Sequence, residues 1–182
     1  MLCRSIQITQ RASPARVRLD LVAMNSNTEH AEQQRVAAHD LDTALAKRAH
    51  QGRTILMLED DDAFSEIFGA YLIGEGFTVE RVPNGAEGLK KVMARDFDVI
   101  VCDMMMPGFP GDMFYLAVSR TKPQLLSRFI FMTGYQGDRK INDFIRRIRG
   151  VVLWKPFQFR QMLERIDEVL AKSNKGQVRQ VA

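Results

Sequence analysis

Short apolar runs alternate with amphipathic stretches along the chain from residue 53 onward. The most apolar run, 97–102, stops at Asp103, and the run 53–58 stops at a series of carboxylates, 59–62. A continuous apolar run bounded by turn residues is typical of a strand buried on both faces of a parallel sheet. Together with these two runs, three others give five predicted strands: 53–58, 77–82, 97–102, 128–132 and 151–154.

The stretches between the strands carry apolar residues at helical spacing. The predicted helices are 63–72, 85–95, 112–121, 137–149 and 159–171. Five consecutive strand–helix units favour an α/β fold, a doubly wound parallel sheet with right-handed crossovers and helices on both faces.

Four of the predicted strands end in chemically active side chains. Parallel strands bring Asp103, Thr133 and Lys155 to one edge of the sheet, together with the acidic run 59–62. Ligands of open α/β sheets bind at that edge. Carboxylates brought close together raise one another's pKa unless a cation neutralises them, and a hard divalent ion with oxygen ligands does this. The constellation suits phosphoryl transfer onto an aspartate.

At these positions the sequence resembles the receiver domain of bacterial response regulators. The resemblance covers about residues 53–172 and implies a flavodoxin-like sheet with strand order 2-1-3-4-5. It rests on four motifs: Glu59-Asp60-Asp61, Asp103 with Met106-Pro107-Gly108, Thr133-Gly134, and Lys155-Pro156-Phe157.

The resemblance implies a role for each site residue. Asp103 would be the nucleophile toward a phosphohistidine of a partner kinase. Mg²⁺ would be held by Glu59 or Asp60, by Asp103 and by the backbone carbonyl of Met105. The phosphoryl group would be contacted by Thr133 and Lys155, and the bond before Pro156 is expected to be cis. Asp61 is either a bystander or acts at longer range.

Two positions depart from the common pattern of the family. In the family, Thr133 would move toward the bound phosphoryl group, and an aromatic residue three positions before the lysine often rotates with it. Val152 occupies that position here, so either Trp154 or Tyr135 substitutes for the aromatic residue, or the aromatic part of this switch is missing. Met105 and Tyr135 would flank the phosphoryl group, and their bulk predicts a long-lived phosphate because it excludes the attacking water.

The leading hypothesis is a single-domain response regulator that accepts a phosphoryl group on Asp103. Its expected partners are a sensor histidine kinase or histidine phosphotransfer protein and an unknown downstream protein, and homodimers are frequent in the family. The alternatives are a phosphorelay intermediate, which passes the group to a histidine phosphotransfer domain, and a phosphorylation-independent scaffold. A phosphatase is disfavoured because Met105 stands where such enzymes carry a general acid. We therefore expect no enzyme activity beyond self-phosphorylation and self-dephosphorylation.

The composition of the chain is that of an ordinary globular protein. The 182 residues are 46% apolar, and no apolar run reaches the length of a membrane span. Cys3 and Cys102 lie far apart and imply no disulfide framework, which fits the cytoplasm. The net charge of +4 lies largely at the two ends of the chain, so the basic pI does not indicate nucleic-acid binding.

The remaining segments lie outside the predicted domain. An extension, 1–52, contains a predicted helix at 28–51. Three interpretations of this helix stay open: a mobile helix that leads into the domain, a helix packed on the receiver domain, or a contact for a dimer or another partner. The polar tail, 173–182, is too short for a DNA-binding module, so we expect output through protein contacts. Translation could instead begin at Met24, and the arginines before it faintly resemble a transit peptide. The basic residues within 139–149 form either a solvated face or a contact for an acidic partner.

Overall fold

A computed structural model of the chain describes residues 32, 35–38, 40–134, 137 and 139–178, with 174–178 as backbone only. Contacts divide the chain into two units, Met1–Ala46 and Lys47–Ala182. All described residues of the first unit are helical, and its apolar side chains Val36, Leu41 and Leu45 are exposed. Residues 28–31, 33, 34 and 39 of the helix predicted at 28–51 lie outside the described residues.

The second unit contains a five-stranded parallel sheet in the order β2-β1-β3-β4-β5. This confirms the predicted fold class and strand order, and the less apolar strand β2 lies at an edge of the sheet as its composition indicates. The strands are β1 Thr54–Leu58, β2 Thr78–Val82, β3 Val99–Asp103, β4 Phe129–Thr133 and β5 Val151–Trp154.

Helices cover both faces of the sheet, and a short 3₁₀ helix, Pro123–Arg128, precedes β4. The α-helices are α1 Asp62–Gly74, α2 Gly85–Ala94, α3 Gly111–Thr121, α4 Arg139–Ile145 and α5 Phe159–Val178. Among the described residues, no helix combines the length and the apolar character needed to cross a membrane.

Two helices differ from their predicted bounds by more than two residues at one end. α4 ends at Ile145 instead of continuing to Arg149. The Arg147 N–H donates to the carbonyl of Phe144, only three residues back, at 2.9 Å, and the Arg149 N–H donates to the Tyr115 hydroxyl at 3.0 Å. α5 continues to Val178, so part of the predicted polar tail is helical. That segment contains no proline that would stop the helix.

Alternation along the central strands divides the core into two layers. Leu56, Ile100 and Phe131 pack with α2, α3 and α4 on one face. Met57 and Val101 pack with α1 and α5 on the other. Both faces of β1, β3 and β4 are therefore buried, which explains why these strands read as continuous apolar runs.

A histidine just before β1, which the sequence analysis did not identify, contacts three other parts of the second unit. His50 is buried and stacks on Phe77, with ring centroids 4.2 Å apart. Its Nδ1 lies 3.0 Å from the carbonyl oxygen of Glu75, and its Nε2 lies 2.9 Å from Asp167 Oδ1. The compact second unit thus includes residues before Arg53.

Candidate functional site

The register of the sheet brings the predicted site residues to one edge. β1 ends at Leu58, opposite Cys102 of β3, so Glu59 follows β1 beside Asp103, the last residue of β3. Thr133 ends β4 and pairs with Trp154, which directly precedes Lys155. The structure therefore places these four chain segments together, as the strand pattern predicts.

Three carboxylates form the centre of the site. Glu59, Asp60 and Asp103 each offer one oxygen, and these oxygens lie within 4.8 Å of one another. Glu59 is 2% exposed and Asp103 6% exposed, whereas Asp60 faces solvent. Burial raises the pKa of Glu59, the negative charge of Asp103 raises it further, and Lys155 offsets only part of the effect.

Lys155 is the cation of the site. Its Nζ donates to Glu59 Oε2 at 3.1 Å and, in a short contact, to Asp103 Oδ2. Burial acts to lower the pKa of Lys155, but the hydrogen bond and charge of Asp103, with those of Glu59, outweigh it, so the pKa is raised. The ammonium therefore stays charged at neutral pH. The Lys155–Pro156 bond is cis, as predicted.

The charge balance of the site fits a divalent cation. One ammonium faces two buried carboxylates and a third, exposed one. Carboxylate and carbonyl oxygens are the ligands that Mg²⁺ prefers. The donor set therefore suits Mg²⁺, and Glu59, Asp60 and Asp103 are the side chains that could hold it.

The loop after β3 turns back over its own strand. Met105 N–H donates to Asp103 Oδ1 at 2.9 Å, and Gly111 N–H donates to the carbonyl of Met104 at 3.2 Å. A Cβ on Gly111 would lie 2.4 Å from the carbonyl oxygen of Asp103, so only glycine permits this approach. The Met105 side chain is 48% exposed. The loop thus holds the Asp103 carboxylate from the backbone.

Two polar residues next to the site, Asp61 and Cys102, contact the backbone of the fold. Asp61 Oδ1 accepts from the Phe64 N–H at 3.0 Å, so Asp61 caps the N-terminus of α1. Cys102 is fully buried in the core, and its thiol donates to the carbonyl of Asp103 at 3.2 Å.

The residues expected to take part in the conformational switch, Thr133, Val152 and Trp154, are buried or half-buried. Val152 packs against the core on the α2–α4 face, which also contains Phe131, Tyr115 and Phe144. Thr133 is completely buried at the end of β4, and Trp154 is half-buried. Tyr135 lies outside the described residues.

Two open clefts flank Glu59. One, of about 430 Å³, is lined by Glu59, Asp62, Ser65, Glu66, Arg81, Val82 and Pro83. The other, of about 360 Å³, is lined by Glu59, Asp61, Phe64, Lys155, Pro156 and Phe157. Sequence reasoning missed Phe64, whose ring lies 5.3 Å from Lys155 Nζ, because its helical spacing reads only as core packing.

Fold and site together define a doubly wound α/β domain with an acidic pocket at the carboxyl edge of its sheet. The sequence matches the response regulator receiver domain family over residues 55–167. The chain belongs to that family, and it contains the receiver domain of a two-component response regulator. Binding of Mg²⁺ at the acidic pocket is typical of such domains.

Relatives and solved structures agree with this assignment. Sensor kinase CckA of Brucella abortus is 28% identical over 141 residues, which cover 76% of this chain and 15% of that protein. Transcriptional regulatory protein RprY of Bacteroides fragilis is 28% identical over 118 residues, covering 65% and 49%. The chain thus spans less than half the length of these curated relatives.

Two solved receiver structures match almost over their whole length. A CheY-like receiver domain protein of Methanospirillum hungatei has a TM-score of 0.62 at 26% identity and covers 68% of this chain and 98% of its own. Chemotaxis response regulator CheY4 of Vibrio cholerae has a TM-score of 0.57 at 28% identity, covering 65% and 98%.

Proposed function

We propose that the chain is a phosphoacceptor that takes a phosphoryl group from a phosphohistidine onto Asp103. The observation that carries this proposal is the position of the Asp103 carboxylate, which is buried between the Lys155 ammonium and the Met105 N–H beside two further carboxylates. Such a carboxylate is held in one orientation and next to a cation, as a nucleophile for an anionic group requires.

In the proposed reaction an oxygen of Asp103 attacks the phosphorus. The new O–P bond forms as the N–P bond breaks, and the bonding pair returns to the imidazole nitrogen of the donor. Lys155 already contacts Asp103, so its ammonium can contact a phosphoryl oxygen with little movement. Thr133 would donate its hydroxyl to another oxygen from the end of β4.

The metal of this proposal is Mg²⁺, held by Glu59 or Asp60, by Asp103 and by the backbone carbonyl of Met105. When bound, the ion supplies positive charge that screens the approach of the phosphoryl group. The residues of the chain orient the nucleophile and the oxygens around it.

The donor would be a sensor histidine kinase or a histidine phosphotransfer protein in the cytoplasm, and the signal would pass to a downstream protein by contact. Self-phosphorylation and self-dephosphorylation would be the only chemistry of the chain. No observation on the described residues favours a relay or a scaffold over this function.

The test is phosphorylation by acetyl phosphate with Mg²⁺, followed by intact-mass analysis of the full chain. The wild type and Asp96→Asn, a solvent-facing control, should gain one phosphoryl group, whereas Asp103→Asn and wild type with a chelator should gain none. A folded wild type that gains nothing, or an Asp103→Asn variant that gains as much as the wild type, would refute the proposal.

A further inference from the structure

The ring of Phe64 is the one aromatic face recorded over the site cation among the described residues. Lys155 Nζ lies 5.3 Å from its centroid, within the ~6 Å over which an aromatic face attracts a cation. The same ammonium contacts Glu59 and Asp103. Lys155 therefore has two carboxylate partners and one partner that carries no charge.

Phe64 is itself held in place from several directions. Its backbone N–H is fixed by the Asp61 cap in the first turn of α1. Its ring packs edge-to-face with the rings of Phe157 and Phe159, with centroids 6.2 Å apart in both pairs and interplanar angles of 87° and 78°. The ring of Phe68, on the next turn of α1, lies 5.5 Å away. The Phe64 ring is thus packed against three other rings.

A neutral partner for Lys155 matters because the two carboxylates that contact its ammonium have a second role. Glu59 and Asp103 are also the side chains that would hold Mg²⁺ under the proposed function. The four-carbon stem of a lysine is flexible, and holding it in one conformation costs rotamer entropy. A contact that does not use the carboxylates keeps the ammonium near Asp103 while they serve another cation.

We propose that Phe64 is a positioning residue for Lys155, holding its ammonium at the phosphoryl site through the face of its ring. This inference rests on the proposed function of Asp103 and Lys155. Phe64 touches no reacting atom, so its effect is exerted through Lys155 alone.

The experiment compares three variants of the full chain. Phe64→Leu removes the aromatic face and keeps apolar bulk, Phe64→Trp keeps an aromatic face, and Phe159→Leu makes the same ring-to-leucine change in the same cluster without a recorded contact to the ammonium. The first readout is the initial rate of phosphorylation by acetyl phosphate at saturating Mg²⁺.

The second readout needs no metal and no phosphoryl donor. An aromatic ring shifts the proton resonances of a group over its face upfield, so NMR of the Mg²⁺-free protein reports whether the Lys155 methylene next to the ammonium lies over a ring. Phe64→Met is used for both readouts if the leucine variant does not fold.

We expect Phe64→Leu to slow phosphorylation about fivefold and to abolish the upfield shift. Phe64→Trp should restore both, and Phe159→Leu should change the rate less than twofold. Equal slowing by Phe64→Leu and Phe159→Leu, or a Phe64→Leu variant with the wild-type rate, would overturn the role of Phe64. A wild type that is not phosphorylated in the same assay would instead refute the proposed function.

Discussion

The neighbouring strands β1 and β3 have carboxylates at both ends of the pair: Asp98 precedes β3, and Glu59 and Asp103 lie at the carboxyl ends. The two ends are built in opposite ways. At the start of β3, Asp98 accepts from the Arg53 guanidinium at 3.0 Å, from the Thr54 N–H at 2.8 Å and from the Thr54 hydroxyl at 3.1 Å. Burial acts to raise the pKa of Asp98, but these donors outweigh it and the pKa is lowered.

At the carboxyl ends of the same strands the carboxylates outnumber the cations. Glu59 and Asp103 share the single ammonium of Lys155, and the pKa of Glu59 is raised. Both ends contain partly or fully buried acids, so burial alone does not separate them. The comparison teaches that a carboxylate fully matched with donors stabilises the fold, whereas an unbalanced cluster leaves charge for a ligand to neutralise.

The largest expected effect is at the matched end. Asp98→Ala should lower the free energy of unfolding by about 2 kcal/mol, because it removes a partly buried carboxylate that accepts hydrogen bonds from the Arg53 guanidinium and from the Thr54 N–H and hydroxyl. Asp96→Ala, which removes only an exposed ion pair with Lys122, should cost no more than about 0.5 kcal/mol. Urea unfolding of both variants checks this, and equal losses would contradict the comparison.

The next effect is stabilisation by metal at the unbalanced end. At ten times its dissociation constant, Mg²⁺ should raise the free energy of unfolding of the wild type by about 1.4 kcal/mol. Glu59→Gln should lose this gain because a buried ligand of the cluster is neutral. Glu66→Gln, a change at an exposed acid of α1, is the control and should keep it. Thermal unfolding with and without Mg²⁺ measures the difference.

A smaller effect concerns the metal-free protein. Asp103→Asn should raise the free energy of unfolding by up to about 1 kcal/mol, because it removes the repulsion with Glu59 and leaves Lys155 paired with Glu59. The same substitution at the other end, Asp98→Asn, should lower stability. Chemical denaturation in a chelator compares the pair, and a loss at both positions would argue against an unbalanced site.

The smallest effect is a pH dependence. Because the folded pKa of Glu59 is raised above 4.5, the folded state binds this proton more tightly than the unfolded state, and stability falls as pH rises from 4.5 through the folded pKa. Glu59→Gln cannot titrate there. In the absence of metal, the free energy of unfolding of Glu59→Gln should exceed that of the wild type by its largest amount above the folded pKa, and this difference should shrink as the pH falls to 4.5. A difference that grows as the pH falls would contradict the prediction.

Much of this arrangement follows from sequence pattern. The buried strands β1, β3 and β4 read as continuous apolar runs because helices cover both faces, and their ends identify Glu59, Asp103 and Thr133. Parallel pairing then requires these ends to meet at one edge. The strand order came from the family resemblance, since no local signal specifies which strands are neighbours.

Other features depend on contacts between distant residues. After the early end of α4, the Arg149 N–H donates to the Tyr115 hydroxyl, and these two residues lie 34 positions apart. The contact of Phe64 with Lys155 joins α1 to the end of β5. Such pairings carry no periodic signal. The cap formed by Asp61 is local, since it accepts from Phe64 three residues on, but the sequence analysis considered Asp61 only as a bystander or a longer-range helper at the site.

The measurement that tests the central claim most directly is the position of the acyl phosphate. The protein is phosphorylated with acetyl phosphate and Mg²⁺, reduced with borohydride, which converts an aspartyl phosphate to homoserine, and mapped by peptide mass spectrometry. The unbalanced cluster around Lys155 predicts homoserine at position 103 alone. Homoserine at Asp60, Asp61 or Asp62, or no homoserine in folded protein, would contradict the assignment of Asp103 as the phosphoacceptor.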